Sequence, residues 1–162
     1  MTGRVRAILV IDDDHLLVIK RRRPGAPIYW VLPGGGVEPD DADLESALHR
    51  ELREELAGEA EVHSLVQVLD ADGASDRQYI YLARINAWQF DERTGPEFVG
   101  YDPARGTYEL DQVPLTAGAL AVINLKPART AELIRGAVTG PGLFALPDLR
   151  LDRQAAHRRD AR

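Results

Sequence analysis

The stretch Leu32–Gly58, LPGGGVEPDDADLESALHRELREELAG, constrains this chain more than any other. Pro33 and the three glycines after it stop a strand and mark a loop. Asp43 then offers a side-chain oxygen to the free amides of a first helical turn. The spacing predicts a helix from Asp43 to about Ala57, ended by Gly58, because glycine tolerates the left-handed conformation common just past a helix. Leu48, Leu52 and Leu56 form the apolar stripe that this helix must bury. Residues three and four apart share a helical face, so Glu51, Glu54 and Glu55 point the same way. Each like-charge contact costs an isolated helix about 0.2–0.5 kcal/mol. Glu51 and Glu55 lie about 60° round from the leucines. They therefore flank the buried face, and partial desolvation raises the cost of leaving them unpaired. A divalent cation relieves the conflict. Mg²⁺ or Mn²⁺ takes carboxylate, carbonyl and water oxygens and shares them with substrate phosphates. The plainer alternative is an exposed, salt-bridged helix in which Arg50 and Glu54 form an i,i+4 pair.

The rest of the chain supplies a sheet. Val5–Ile11 and Leu16–Ile19 are rich in strand formers, and the polar turn Asp12-Asp13-Asp14-His15 between them predicts a hairpin. Ile28–Leu32 is a short apolar strand. Val62–Leu69 and Gln78–Trp88 read as two strands joined by a loop over 70–76. Residues 91–106 form a polar, Gly/Pro-rich excursion, followed by a strand over 107–113. A second helix is predicted over 128–138, started by Pro127. Strands and helices mix without strict alternation, which predicts an α/β domain with a mixed sheet flanked by helices. At 162 residues the chain fits one domain. We place it at 1–150, with 151–162 as a polar tail.

Composition narrows the function. A net charge of −6 argues against general nucleic-acid binding, which wants a basic footprint. Cysteine is absent, which removes disulfides, thiolate metal sites and thiol nucleophiles. No apolar run approaches the ~20 residues of a membrane span. These observations lead us to expect a cytoplasmic protein with no nucleic-acid or membrane partner.

The run Arg50-Glu51-Leu52-Arg53-Glu54-Glu55, preceded by Pro33-Gly34-Gly35-Gly36-Val37-Glu38, resembles the Nudix box, G-x5-E-x7-R-E-U-x-E-E-x-G-U with U a bulky aliphatic. Trp30-Val31-Leu32 and Val113-Pro114-Leu115 also look Nudix-like. The chain departs from the pattern in three places. Asp41 replaces the first glutamate, eight residues rather than seven separate it from Arg50, and Ala57 stands where the box has glycine. The resemblance implies a mixed β-sheet sandwiched between α-helices. It also implies metal-dependent hydrolysis of a nucleoside diphosphate linked to another moiety, such as a (d)NTP or a modified nucleotide, with Mg²⁺ or Mn²⁺ as cofactor and a homodimer as one oligomeric option. The alternative within the same fold is a nucleotide sensor that does not cleave. By carry-over, Glu51, Glu54, Glu55 and the Gly34 carbonyl are metal ligands. Glu54, Glu51 and Arg50 are the catalytic set, with Arg50 orienting the acids. Glu38 and Asp41, from the opening of the box, are grouped with the substrate-binding residues.

Three further groups are candidates. Lys20-Arg21-Arg22-Arg23 follows a strand, and alternation puts Arg21 and Arg23 on one face and Lys20 and Arg22 on the other. Arg21 and Arg23 are carried forward as phosphate-binding candidates against the alternative of a solvated charge run. Glu109, upstream of Val113-Pro114-Leu115, is a candidate general base or substrate contact because the resemblance implies an acid near the site there, with an outward strand position as the alternative. Tyr79 and Tyr81 are either base-stacking residues or core aromatics, and the core reading is the favoured one. His63 is expected to be structural.

Overall fold

The computed structural model describes residues 2–70, 77–95 and 102–160, the last six by backbone alone. The strands are β1 (Arg4–Ile11), β2 (His15–Arg22), β3 (Tyr29–Val31), β4 (Gly34–Gly36), β5 (Glu59–Leu69), β6 (Gln78–Ala87), β7 (Thr107–Pro114) and β8 (Leu125–Lys126). The helices are α1 (Leu44–Leu56), α2 (Ala117–Ala121), α3 (Ala128–Val138) and α4 (Leu149–Asp160). The strands form one mixed sheet in the order β5-β6-β1-β2-β3-β8, with β4 against β1 and β7 against β2. β1 runs parallel to β6 and antiparallel to β2.

The strand period divides the core in two. Val5, Ala7 and Leu9 of β1 pack with Leu17 and Ile19 against Ala47, Leu48, Leu52 and Leu56 of α1. Ile8 and Val10 face the other way, with Leu16 and Val18, against Leu120 of α2 and Ala131, Ile134 and Ala137 of α3. The helices thus cover both faces, as the predicted α/β/α sandwich requires. Among the described residues no helix is long and apolar enough to cross a membrane.

The leucine stripe is fully buried, as its spacing predicts: Leu48, Leu52 and Leu56 are all 0% exposed. Asp43 caps α1, accepting from the Ser46 amide at 2.7 Å. The C-terminal end differs from expectation. Ala57, not Gly58, takes the left-handed conformation (φ 45°, ψ 43°), and the Ala57 and Gly58 amides donate to the carbonyls of Arg53 and Leu52. A Cβ on Gly58 would come within 3.0 Å of Ile85. Tight packing against β6 therefore holds the glycine one place late.

The C-terminal segment expected as a polar tail from 151 is the body of α4. Its anchor is Arg150, which donates to Asp148, to Glu45 of α1 and to the His63 carbonyl of β5. The predicted loop over 70–76 and excursion over 91–106 fall partly outside the described residues, which resume with single 3₁₀ turns at Phe90–Glu92 and Pro103–Arg105 flanking the second gap.

The sheet parts where the glycines enter it. Arg4–Arg6 of β1 pair with Gly34–Gly36, whereas Leu9–Ile11 pair with β2. Past this fork β2 carries β3 on one side and β7 on the other.

Candidate active site

The fork opens into a cleft of about 980 Å³. Gly34, Gly35, Glu51 and Glu55 line one end, with Arg4 and Arg6 beside them, and Arg21, Arg23, Tyr29, Tyr108 and Lys126 line the other. The glycines are required by space as well as by turn geometry. Gly34 sits at φ 141°, and a side chain there would strike the Val5 carbonyl. A Cβ on Gly35 would lie 2.5 Å from the Glu51 carboxylate. The loop can therefore press against the acidic face of α1 only without side chains. The Gly34 amide donates to Glu55 Oε2 at 3.0 Å, tying loop to helix.

Arg50 is the hub of the acids. Its Nε and Nη2 donate to the two oxygens of Asp41 at 3.0 and 2.9 Å, a bidentate fork. Nη2 also reaches the Gly36 carbonyl at 2.8 Å, and Nη1 donates to Glu51 at 3.0 Å and Glu54 at 3.3 Å. The hydrogen bonds from Arg50 hold the Asp41 carboxyl below the usual carboxylate range, and the same bonds push the Arg50 guanidinium up. Arg6 is oriented by the Gln78 side chain and the Leu32 carbonyl, each at 2.9 Å. Burial pulls its pKa down, opposed by the nearby Glu55 and Glu51 carboxylates.

The structure sorts the candidate residues. Glu51, Glu55, Gly34, Arg21 and Arg23 all line the cleft. Glu54 is not among the residues lining the cleft; it accepts from Arg50 at 3.3 Å. Asp41 does not line the cleft; its side chain is 7% exposed and spent on Arg50 and on the Glu38 amide. The Glu38 side chain is exposed, 3.6 Å from Arg50. Glu109 faces away. Tyr108 and Arg21 are cross-strand partners and both line the cleft, so the next residue of β7 points to the opposite face, where Glu109 meets Arg22 at 3.5 Å. Arg21 is 6% exposed, and its donors go to the Thr107 and Arg105 carbonyls while its plane lies 3.6 Å from the Tyr108 ring centroid. It is part of the floor. Tyr79 and Tyr81 are buried in the α1-side core, and His63 packs edge-on against Phe144.

The sequence reading did not assign Arg4, Arg6, Tyr29, Tyr108 or Lys126. Arg4 and Arg6 alternate with buried Val5 and Ala7, a period-two signal of a polar strand face. Lys126 and Tyr29 carry no such signal, since only the pairing of β3 with β8 brings them together.

A family model described as the NUDIX domain matches residues 1–125. The chain belongs to the Nudix family. Among curated proteins it is similar to diphosphoinositol polyphosphate phosphohydrolase 2 of Rattus norvegicus, 31% identical over 46% of this chain and 39% of that protein. It is also similar to the 8-oxo-dGDP phosphatase NUDT18 of Homo sapiens, 32% identical over 49% of this chain and 24% of that protein. The matches thus span well under half the length of these relatives. Among solved structures, a MutT NUDIX hydrolase from Burkholderia pseudomallei is 25% identical with a TM-score of 0.52, covering 83% of this chain and 95% of that one. A NUDIX hydrolase from Nitrosomonas europaea shares the fold at 15% identity and a TM-score of 0.59, covering 84% and 88%.

With the family in place, the departures in the Nudix box acquire a geometry. Asp41, one methylene shorter than the glutamate of the pattern, still grips Arg50 with both oxygens. The extra residue falls before α1, at Ala42–Asp43, and leaves the helical register of Glu51, Glu54 and Glu55 intact.

The donors fit a hard divalent cation. Among the described residues no three acidic or histidine side chains converge as a ready-made cage. Mg²⁺ is commonly held by one or two carboxylates, waters and substrate phosphates rather than by an all-protein cage. Glu51 and Glu55 supply two such carboxylates at the cleft.

Proposed function

We propose that this Nudix protein is a metal-dependent hydrolase that cleaves the phosphoanhydride of a nucleoside diphosphate linked to another moiety. The observation that carries the reading is the placing of Glu51 and Glu55 in the same cleft as Arg4 and Arg6. Anionic metal ligands and cationic phosphate ligands side by side in one cavity suit a substrate that brings its phosphates to a cation. Glu51 and Glu55, which line the cleft, would hold Mg²⁺ or Mn²⁺ together with water and substrate phosphate, with Glu54 and the Gly34 carbonyl as the further candidate ligands. Such an ion supplies charge neutralisation at the phosphoryl oxygens and a more acidic water.

The chain's own residues do the positioning. Arg50 keeps Glu51 and Glu54 apart and aimed. The Gly34 amide fixes Glu55. Arg6, held by Gln78 and Leu32, offsets the acids' mutual repulsion from the cleft wall. Among the described residues, the carboxylates lining the cleft are Glu51 and Glu55, which makes the box glutamates the candidates for taking the proton of the attacking water, while Glu109 lies on the other face of the sheet.

The test is product release from a panel of nucleoside diphosphate derivatives and nucleoside triphosphates with Mg²⁺ or Mn²⁺. Glu54→Gln and Glu55→Gln are expected to lower turnover about 100-fold or more, the scale of losing one electrostatic stabiliser at a reacting centre, with the melting temperature kept. Near-normal activity in both variants would overturn the assignment. Tight nucleotide binding without any product would replace it with the sensor reading.

A further inference from the structure

We propose that the end of the cleft formed by Arg23, Tyr29 and Lys126 is a second anion subsite, which selects substrates whose distal moiety carries a phosphate of its own. The inference rests on the hydrolase reading and names the substrate class for it.

Five basic side chains line the cleft against two acids, in a chain whose net charge is −6. They divide by position. Arg4 and Arg6 pair through their backbones with Gly34–Gly36 and stand beside Glu51 and Glu55. Arg21 is spent on backbone carbonyls and on Tyr108. Arg23 and Lys126 are different. Both are exposed, and neither makes a salt bridge or side-chain hydrogen bond with any described residue. Lys126 does no more than rest over the Tyr29 ring, at 4.6 Å from its centroid.

Their place in the sheet sets them apart from the acids. Lys126 is the β8 partner of Val31, and Tyr29 is the β3 partner of Arg21, two residues before Arg23. Val31 lies three residues before Gly34 and Tyr29 five, so extended chain places them as much as about 10 Å and 17 Å from the glycine end. A substrate that spans the cleft presents separate groups to the two ends. A neutral sugar or base at the far end would leave the two cations to water alone. A phosphate there would accept charge-assisted hydrogen bonds from both, with Tyr29 offering a ring face between them.

The experiment uses two substrate pairs that differ by one remote phosphate: NADH against NADPH, and dephospho-coenzyme A against coenzyme A. Hydrolysis is followed with Mg²⁺ or Mn²⁺, and binding is measured by calorimetry. The phosphorylated member of each pair is expected to have kcat/KM higher by about tenfold or more, the scale of one charge-assisted hydrogen bond. The difference is expected mainly in KM, and in the variant Arg23→Gln/Lys126→Gln the ratio should fall toward one. Equal kcat/KM within both pairs, or a ratio that survives the double variant, overturns the subsite. If no member of either pair is hydrolysed, binding decides. A preference for the phosphorylated members that the double variant abolishes supports the subsite although these substrates are not cleaved, and equal binding overturns it. Failure of the hydrolase reading itself shows separately, as absence of product from every nucleotide tested.

Discussion

Gly35→Ala probes the acidic end of the cleft without touching an acid. The added Cβ would sit 2.5 Å from Cδ and Oε1 of Glu51 and 2.6 Å from Oε2. Ordinary contact begins at about 3.4 Å, so the carboxylate must retreat by about 0.9 Å. Its present place is fixed by Arg50 Nη1 at 3.0 Å, and that bond lengthens or breaks with the shift. A misplacement of about 1 Å at a reacting centre costs about 100-fold in rate. Stability should move far less. Overpacking costs about 1–3 kcal/mol, here at the low end because the obstructing atoms end a flexible side chain. Restriction of the unfolded chain returns about 0.4–1 kcal/mol, since no positive φ is required at this position. The control is Gly36→Ala, where a Cβ meets nothing within 4 Å. The assay is kcat/KM with Mg²⁺ on the best substrate of the panel, beside thermal melts. The expected outcome is a loss of about 100-fold for Gly35→Ala and near-normal rates for Gly36→Ala, with melting temperatures for both within a few degrees of the parent. Full activity in Gly35→Ala would refute the claim that the glycine makes room for Glu51. Equal losses in both variants would refute it as well.

Ala57→Gly should raise the melting temperature by about 2–4 °C, because a non-glycine residue in the left-handed region costs roughly 1 kcal/mol that glycine does not incur; differential scanning calorimetry checks it. Asp148, its pKa lowered to about 2 chiefly by its hydrogen bonds from Arg150, should couple the α4 anchor to acid. The folded value lies below the ordinary one, so its contribution is present above about pH 4 and is lost as the pH falls toward 2. For this partly exposed pair that is about 1 kcal/mol after solvent screening, read as a weaker acid dependence of the urea midpoint over that window in Asp148→Asn.

Much of the fold was legible because its signals are local. The β1–β2 hairpin, α1 and α3 are each specified by period and by caps within their own segments, and the observed bounds of α3, Ala128–Val138, coincide with the predicted ones. The segment after Leu151 was read as a tail because its composition is polar. Its helix is held by a contact that composition cannot express, Arg150 reaching back to Asp148, Glu45 and the His63 carbonyl. The cleft was half legible for a related reason. Glu51 and Glu55 share a helical face, and helical spacing is a local rule. The basic end is assembled by β3, β8 and the start of β1, whose adjacency is decided by sheet topology. Glu109 shows the same limit: a strand residue has two faces to choose from, and the register with Arg21 settles the choice only once the pairing of β2 with β7 is known.

Asp41 shows how the sequence departures and the site chemistry are reconciled. A shorter acid in the box would lose its grip on Arg50 if the backbone stayed where a glutamate needs it. The added residue before α1 follows directly on a turn in which the Asp41 amide donates to the Glu38 carbonyl and Asp41 Oδ2 accepts from the Glu38 amide at 2.7 Å. That reciprocal turn sets the carboxylate against Arg50 at 2.9 and 3.0 Å. Shorter side chain and longer loop are therefore a matched pair. Changing one alone should be worse than changing both, the signature of coupled sites. Asp41→Glu by itself pushes an extra methylene into a space that is 7% exposed. Deleting Ala42 by itself pulls the carboxylate off the guanidinium. Asp41→Glu together with deletion of Ala42 restores the spacing of the family pattern, so its activity is expected to exceed that of either single change; a double variant no better than the worse single would show that the two departures arose independently.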